Sequence, residues 1–186
     1  MSVSNLSIQK VVIYSGSFDP LHNGHKTIIG ELYNKFDNIY IVPEKYNLNM
    51  MFSNNTRLKF INDYISKCFS DSNKIHVLND VLEDETNELS KTFNLINHIK
   101  NKYLKNSEVE IYICIGWDQY ENLKKWFKYQ QLLKIVKLIV VNRGDKQIER
   151  LYSDLNETTI SLEIHGYENL SSTKIREAIY NYVILN

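Results

Sequence analysis

Two histidines, His22 and His25, stand at the end of a segment of unusual composition, GSFDPLHNGH. Gly16, its first residue, follows an apolar run directly, so the backbone can turn sharply there and lie close to a bound group. An Asn-Gly pair between the histidines predicts a turn and then a helix that begins near His25. Histidines at this spacing in a first helical turn face the same side. The helix start also supplies unpaired N–H groups, so the segment favours phosphate binding.

A His-x-x-His pair permits other chemistry as well. Zinc binding is one alternative, but no Cys or Glu stands at a spacing that would complete the set of ligands. Nucleophilic histidine chemistry is another, although it would not require the glycines. Histidines that donate hydrogen bonds to transferring phosphoryl oxygens suit both the rings and the close backbone approach. The residues by themselves therefore favour a phosphate clamp, and they leave a structural loop or a metal site open.

A second candidate anion site lies in LSSTKIRE, residues 170–177. Ser171, Ser172 and Thr173 predict the N-cap of a helix, and Arg176 lies in its first turn. An arginine there can bind phosphate oxygens with its planar fork, at the positive end of the helix dipole. Two such helix starts, from opposite ends of the sequence, indicate a long polyphosphate such as the tail of ATP.

Short apolar runs alternate with amphipathic segments along the chain. The predicted strands cover residues 11–15, 39–42, 75–78, 109–115, 137–141 and 160–164. Several are apolar throughout, as expected for strands that are covered on both sheet faces. The alternation predicts an α/β fold, a Rossmann-like doubly wound and mostly parallel sheet with helices on both faces, in one domain of residues 1–186.

Helical spacing predicts the segments that cover this sheet. The apolar positions are Leu58, Ile61, Ile65 and Cys68 in a helix at 54–69, Ile96, Ile99 and Tyr103 in one from about 90, and Ile175, Ala178, Ile179 and Tyr182 in the last one. Parallel sheets bind ligands beyond the C-terminal ends of their strands. The loops that start near residues 16, 43, 80, 116, 142 and 165 are therefore the places to look for a site.

The acidic segment DVLEDETNE, residues 80–88, is the one run of carboxylates that suggests a metal site. Its carboxylates lack a rigid repeat spacing. We predict a solvated loop there, and no metal-ligating residues in the protein.

The composition limits the classes of partner. Since 22 basic and 22 acidic side chains balance, no global field favours nucleic acid or an anionic membrane. No apolar segment approaches the roughly 20 residues of a membrane helix, and the N-terminus lacks the apolar region of a signal peptide. Cys68 and Cys114 lie in apolar patterns and are predicted to be buried hydrophobes in a reducing compartment. We expect a cytoplasmic or nuclear protein that binds neither nucleic acid nor membrane.

Three segments carry a resemblance to a known family. GSFDPLHNGH resembles the phosphate-binding signature G-[ST]-F-[DN]-x-x-[HT]-x-G-H of the adenylyl- and cytidylyltransferase superfamily. SSTKIR resembles the [I/L]-S-S-T-x-I-R motif of the nicotinate and nicotinamide mononucleotide adenylyltransferases. Residues 115–145 resemble their stretch G-x-D-x-L…K-W, which is followed by a short helix, a strand and an Arg-Gly turn. The segments lie at both ends and in the middle of the chain, so the resemblance covers the fold.

The resemblance implies an enzyme of NAD biosynthesis that joins the AMP part of ATP to nicotinate or nicotinamide mononucleotide and releases pyrophosphate. It implies catalytic roles for His22, His25 and Arg176. The residues implied to bind ATP are Gly16, Ser17, Phe18, Gly24, Gly116, Asp118, Arg143, Ser171, Ser172 and Thr173. Those implied to bind the mononucleotide are Lys45, Thr92 and Trp126. Mg²⁺ would be carried on the ATP phosphates, and a homo-oligomer is compatible with this scheme.

Two other functions remain open at this point. One is a phosphopantetheine-type or other small-molecule adenylyltransferase, although SSTKIR and the histidine at position 22 weigh against the phosphopantetheine type. The other is a non-catalytic nucleotide-binding module on the same fold, which the intact His22, His25 and Arg176 disfavour. The residues do not distinguish the acid from the amide mononucleotide.

Overall fold

Six parallel strands form one sheet in the computed structural model, which describes residues 8–45, 47–69, 73–105, 108–142, 159–164 and 171–185, with side chains as far as 182. The strands are β1 Gln9–Gly16, β2 Asn38–Pro43, β3 Ile75–Val77, β4 Val109–Gly116, β5 Lys137–Asn142 and β6 Thr159–Glu163. They lie in the order β3-β2-β1-β4-β5-β6, and each neighbouring pair is parallel. This is the strand order of the doubly wound Rossmann sheet, so the predicted fold class is confirmed.

Helices connect the strands and cover the sheet. In chain order they are α1 Asn23–Lys35, α2 Asn54–Cys68, α3 Asp80–Glu83, α4 Thr92–Tyr103, α5 Trp117–Glu121, α6 Tyr129–Leu132 and α7 Ser172–Leu185. Single 3₁₀ turns lie at Glu88–Ser90 and Leu123–Lys125. The four helices predicted from spacing and capping correspond to α1, α2, α4 and α7. Within the described ranges, no helix has the length and apolar character that crossing a membrane requires.

Two apolar cores lie on the two faces of the sheet. On one face, α1 and α2 pack on alternate strand residues such as Val12 and Ile41. On the other face, α4 packs on the residues between them, such as Val11 and Ile13. Since both sets of side chains are covered, the strands are apolar at consecutive positions, and each fully buried aliphatic side chain contributes roughly 1.5–3 kcal/mol. These cores fix the C-terminal ends of the strands relative to one another.

Two predictions of burial are wrong. Cys68, at the end of α2, is exposed, whereas Cys114 in β4 is buried as predicted. The C-terminal helix is present, but Ile179 and Tyr182 of its predicted apolar face are 36% and 72% exposed. Helical spacing identifies which side chains share a face. It does not show how many turns of the helix pack against the rest of the protein.

Gly30 in the interior of α1 provides a test of this packing. A Cβ added there would meet no atom within 4 Å. Alanine favours a helix more than glycine does and restricts the unfolded chain, so Gly30→Ala should stabilise the protein by about 0.5–1 kcal/mol. For a chain of this size Tm should rise by about 1–4 °C. Calorimetry of the two forms measures the shift, and a lower Tm would contradict the open space at this position.

Candidate active site

The loops after β1 and β4 meet at the centre of the sheet. β1 pairs with β2 on one side and with β4 on the other, so the strand order reverses between β1 and β4. Gly16 and Gly116, both predicted site residues, are the last residues of these two strands. Open α/β sheets bind their ligands beyond the strand ends at such a switch point. We call residues 16–22 the first loop.

His22 and His25 form a stacked pair at the start of α1. Their ring centroids are 3.8 Å apart with 24° between the planes, and both residues are buried. The backbone N–H of His22 donates to Nδ1 of His25 at 3.3 Å. In the neutral imidazole the proton then lies on Nε2, so His25 presents an N–H donor on the far side of its ring. Within the described ranges, no group of three or more His, Cys, Asp or Glu side chains is placed to hold a metal ion.

Phe18 fills the interior of the first loop. It is fully buried and has a φ of 47°, a region that bulky side chains rarely adopt. Its ring packs edge-on against Tyr14 at 5.3 Å and against His25 at 5.0 Å between centroids. A Cβ on Gly16 would lie 3.5 Å from the same ring. The aromatic ring therefore packs between the end of β1 and the catalytic candidate His25.

Asp19 joins the first loop to two distant segments. Its carboxylate is fully buried and accepts from the backbone N–H groups of Met51 at 2.7 Å and Phe52 at 2.8 Å. Nη1 of Arg176 donates to the backbone oxygen of Asp19 at 2.7 Å and lies 3.4 Å from its Oδ2. Nη2 of Arg176 donates to Oγ1 of Thr173 at 3.1 Å. The arginine predicted for phosphate binding thus lies beside the first loop.

The first turn of α7 packs against this loop as well. Ser171 caps the helix, since its Oγ accepts from the N–H of Lys174 at 3.2 Å. Ser172 donates from Oγ to the backbone oxygen of Pro20 at 3.3 Å. The two helix starts that the sequence singled out as anion sites therefore lie together, although most of the chain separates them.

Gly116 and Asp118 lie at the neighbouring strand end. The N–H of Gly116 donates to Oε1 of Gln119 at 3.2 Å. A Cβ on Gly116 would lie 2.7 Å from Oδ1 of Asp118, so that carboxylate folds back over the glycine. Arg143, the remaining residue predicted for ATP, lies outside the described residues.

A cavity of about 480 Å³ opens beside the first loop. Lys45, Thr92 and Trp126, the residues implied to bind the mononucleotide, all line it. Ser15, the last but one residue of β1, lines it too, so the cavity adjoins the first loop. The Nζ of Lys45 donates to the backbone oxygen of Asp84 at 2.7 Å. The structure brings these side chains to one place, and their roles in binding stay predictions.

Arg57 is a site residue to which the sequence reasoning gave no role. It is fully buried in the first turn of α2. Its Nη1 donates to the backbone oxygen of Ser17, and its Nη2 donates to the backbone oxygen of Glu44 and to Oδ1 of Asn54, both at 2.7 Å. Burial lowers the pKa of this guanidinium, and two nearby carboxylates oppose that effect. Spacing gave a signal, because Arg57 lies one helical turn before the buried Ile61.

Asp80 precedes Val81, a residue that lines the cavity. The prediction of a solvated loop at 80–88 is wrong here, because Asp80 is buried at the start of α3. Its carboxylate accepts from Nε2 of His98 and Nζ of Lys102, both at 2.6 Å, and from the hydroxyl of Tyr103 at 2.7 Å. Burial raises the pKa of Asp80 most, but hydrogen bonds from Lys102, His98 and Tyr103 outweigh it and lower the pKa to about 2. The carboxylate thereby ties α3 to α4.

The sheet order, the loop that follows Gly16 and the buried histidine pair at a helix start define a nucleotide-binding α/β protein. A cytidylyltransferase-like family model matches residues 13–178. The chain is 33% identical to a probable nicotinate-nucleotide adenylyltransferase of Fusobacterium nucleatum over 92% of this chain and 88% of that protein. It is 30% identical to one of Aliarcobacter butzleri over 91% and 87%, respectively. The chain therefore belongs to the cytidylyltransferase-like family and, within it, to the nicotinate-nucleotide adenylyltransferases.

Solved structures share the fold. The Plasmodium falciparum nicotinic acid mononucleotide adenylyltransferase complexed with APC is similar with a TM-score of 0.73 at 21% identity, covering 91% of this chain and 83% of that one. The same protein complexed with NaAD gives a TM-score of 0.69 at 20% identity over the same shares. At these identities the likeness concerns the architecture, and it agrees with the Rossmann-like sheet.

The Asp80 cluster predicts a pH-dependent stability. Because the pKa of Asp80 is lowered from 3.8 to about 2, its ionised form stabilises the fold by about 2 kcal/mol above pH 4. This contribution is lost as the pH falls through about 2. Asp80→Asn should therefore lower the free energy of unfolding by about that amount at pH 7, and the difference from wild type should shrink towards pH 2.

Urea unfolding at pH 7, 5, 4 and 3 measures this difference. Asp63→Asn, at an exposed aspartate on α2, serves as the control and should change stability little at any pH. A difference for Asp80→Asn that stays constant over this pH range would contradict the assignment.

Proposed function

We propose that this protein transfers AMP from ATP to nicotinate mononucleotide, giving nicotinate adenine dinucleotide and pyrophosphate, and that residues 1–186 act as one nucleotidyltransferase domain. The observation that carries the proposal is the adjacency of two parts. The stacked histidines lie where the first loop enters α1, and Ser15 beside that loop lines a cavity of about 480 Å³ with Trp126 on its wall. A helix start suits a polyphosphate, and an indole suits a flat pyridine ring.

The transfer itself requires positioning more than proton chemistry. The acceptor phosphate attacks the α-phosphorus of ATP in line, and the bond to the bridging oxygen breaks as pyrophosphate leaves. A phosphate monoester is already largely dianionic at pH 7, because its second pKa is about 6. It is therefore nucleophilic without a protein base. Rate enhancement then comes from alignment and from donors aimed at the developing charge.

The first loop and the start of α1 supply the donors for the reacting phosphate. His25 donates through Nε2–H to the α-phosphate or its bridging oxygen, since its Nδ1 is occupied by the backbone N–H of His22. His22 stacks on this ring, which restricts its rotation, and adds a second imidazole to the same site. Backbone N–H groups of the loop and of Gly24 complete the contacts to the α-phosphate.

The start of α7 binds the outer phosphates. Backbone amides of Ser172 and Thr173 lie at the positive end of the helix dipole. Arg176 uses part of its fork on Asp19 and Thr173, and a guanidinium has further N–H groups for phosphate oxygens. Mg²⁺ enters with ATP as part of the substrate and neutralises charge on the phosphates. Gly116 and Asp118 bind the nucleoside part at the end of β4.

The acceptor occupies the cavity. Its phosphate must reach the first loop, so its pyridine ring lies further in, against Trp126 and Thr92. Lys45 adds a positive charge on the wall of this cavity, which suits an anionic ligand. The acid mononucleotide is the proposed acceptor because the curated relatives described above are named for it.

A panel of acceptors tests the proposed function. Pyrophosphate release from ATP is followed with nicotinate mononucleotide, nicotinamide mononucleotide or phosphopantetheine as the second substrate. The proposal expects the largest kcat/KM with nicotinate mononucleotide. A preference for phosphopantetheine would make the protein another small-molecule adenylyltransferase. Release with none of the three would favour a non-catalytic nucleotide-binding module.

Replacement of His25 tests the mechanism. His25→Ala removes one preorganised donor and should lower kcat by about 10²–10³-fold. His76→Ala is the matched control. His76 lies in β3, outside the proposed site, and stacks on Tyr40 at 4.9 Å between centroids. The kcat of this variant should equal that of wild type. Steady-state rates with nicotinate mononucleotide decide. An unchanged kcat in His25→Ala would contradict the role given to His25.

A further inference from the structure

Arg57 connects the two loops between which the reaction takes place. We infer that Arg57 is a positioning residue for the AMP transfer: its guanidinium sets the distance and orientation of the first loop relative to the acceptor cavity. This inference rests on the proposed function, because it needs one substrate on each of these loops. Arg57 itself is fully buried and is placed to contact protein groups rather than substrate.

A single planar group joins the two chain segments. Nη1 donates to the backbone oxygen of Ser17 in the first loop. Nη2 donates to the backbone oxygen of Glu44, the residue after β2, and Glu44 lines the cavity. Since the two nitrogens belong to one rigid fork, the separation of the two carbonyl oxygens is fixed by covalent geometry. Asn54 accepts from Nη2 at 2.7 Å and holds the fork in its plane.

The clamp lies where the sheet stops holding these segments together. β1 and β2 are paired as far as Gly16 and Pro43. One more hydrogen bond, from the N–H of Glu44 to the oxygen of Gly16 at 2.9 Å, extends this ladder. Beyond it the first loop turns towards α1, and the other segment runs towards α2. Arg57 binds both segments just past that point, so the distance between them there depends on the guanidinium.

The same contact orients a predicted phosphate donor. The oxygen of Ser17 and the N–H of Phe18 belong to one trans peptide unit and point in opposite directions. Because Arg57 holds the oxygen on the protein side, the N–H of Phe18 faces away from the guanidinium. Phe18 also has the positive φ of 47°, a conformation that persists only where surrounding contacts fix it. Loss of the clamp should therefore let this peptide unit relax.

Substitution of Arg57 tests this role. Lysine keeps the charge but cannot bind both carbonyls with one planar fork. Arg57→Lys and Arg57→Gln should lower kcat by about 10²-fold, the cost of misplacing reacting groups by about 1 Å, while both KM values change by less than about threefold. Asn54→Ala keeps the arginine and removes only the hydrogen bond that orients the guanidinium plane. We therefore expect kcat to fall by a smaller factor, about threefold to tenfold.

The control separates positioning from simple loss of stability. Ile61→Val removes a buried methyl group one turn further along α2, at a residue that makes none of the hydrogen bonds of the clamp. It should lower Tm and leave kcat unchanged. Steady-state kinetics with ATP and nicotinate mononucleotide and thermal unfolding are measured on all variants. Arg57→Lys that loses Tm but keeps the wild-type kcat would overturn the inference.

Each remaining outcome also decides. If neither Arg57 variant folds, Asn54→Ala carries the test, and a wild-type kcat in that variant would overturn the inference. A KM increase without a kcat decrease would mean that Arg57 shapes binding rather than alignment, and would overturn it too. If the wild type is active and the Arg57 and Asn54 variants keep its kcat, the positioning role is contradicted and the proposed function is not. A wild type that releases no pyrophosphate with any acceptor contradicts the proposed function and, with it, this inference.

Discussion

The buried carboxylate of Asp19 is the interaction on which the candidate site depends. A buried charge is costly unless hydrogen bonds and opposite charge compensate it. Here the compensation comes from the amides of Met51 and Phe52 and from the guanidinium of Arg176. These partners belong to the segment before α2 and to α7. One side chain therefore holds three parts of the chain together, and the site exists only where all three meet.

The first loop is strained, and its surroundings hold that strain in place. Phe18 has a positive φ, which costs free energy for a bulky side chain. Its ring packs on Tyr14 and His25, the preceding peptide oxygen is bound by Arg57, and the next carboxylate is bound by two amides. These contacts are made by the ring of Phe18, the backbone oxygen of Ser17 and the carboxylate of Asp19. The result is a backbone that holds His25 and the loop amides in one arrangement.

Local sequence patterns predicted the strands and helices, but they did not predict the hydrogen bonds that join distant segments. Apolar runs identified the strands because both faces of a parallel sheet are covered, and the strand ends then located the loops. Arg57 had a local signal, its place on the apolar face of α2, but its acceptors are backbone oxygens that no side-chain pattern encodes. Asp80 had none. Its donors lie 18, 22 and 23 positions later in the chain, and within its own segment it resembles any solvated acidic residue.

The neutral net charge of the chain makes the placement of each cation important. A polyphosphate must be attracted by local groups, since 22 basic and 22 acidic side chains cancel over the whole protein. Arg176 can serve both the fold and a phosphate because its fork has several donors in fixed directions. Part of it binds Asp19 and Thr173, which holds the head group beside the first loop. A lysine has its three N–H donors on one nitrogen, so it lacks the planar fork whose two ends contact Asp19 and Thr173 here.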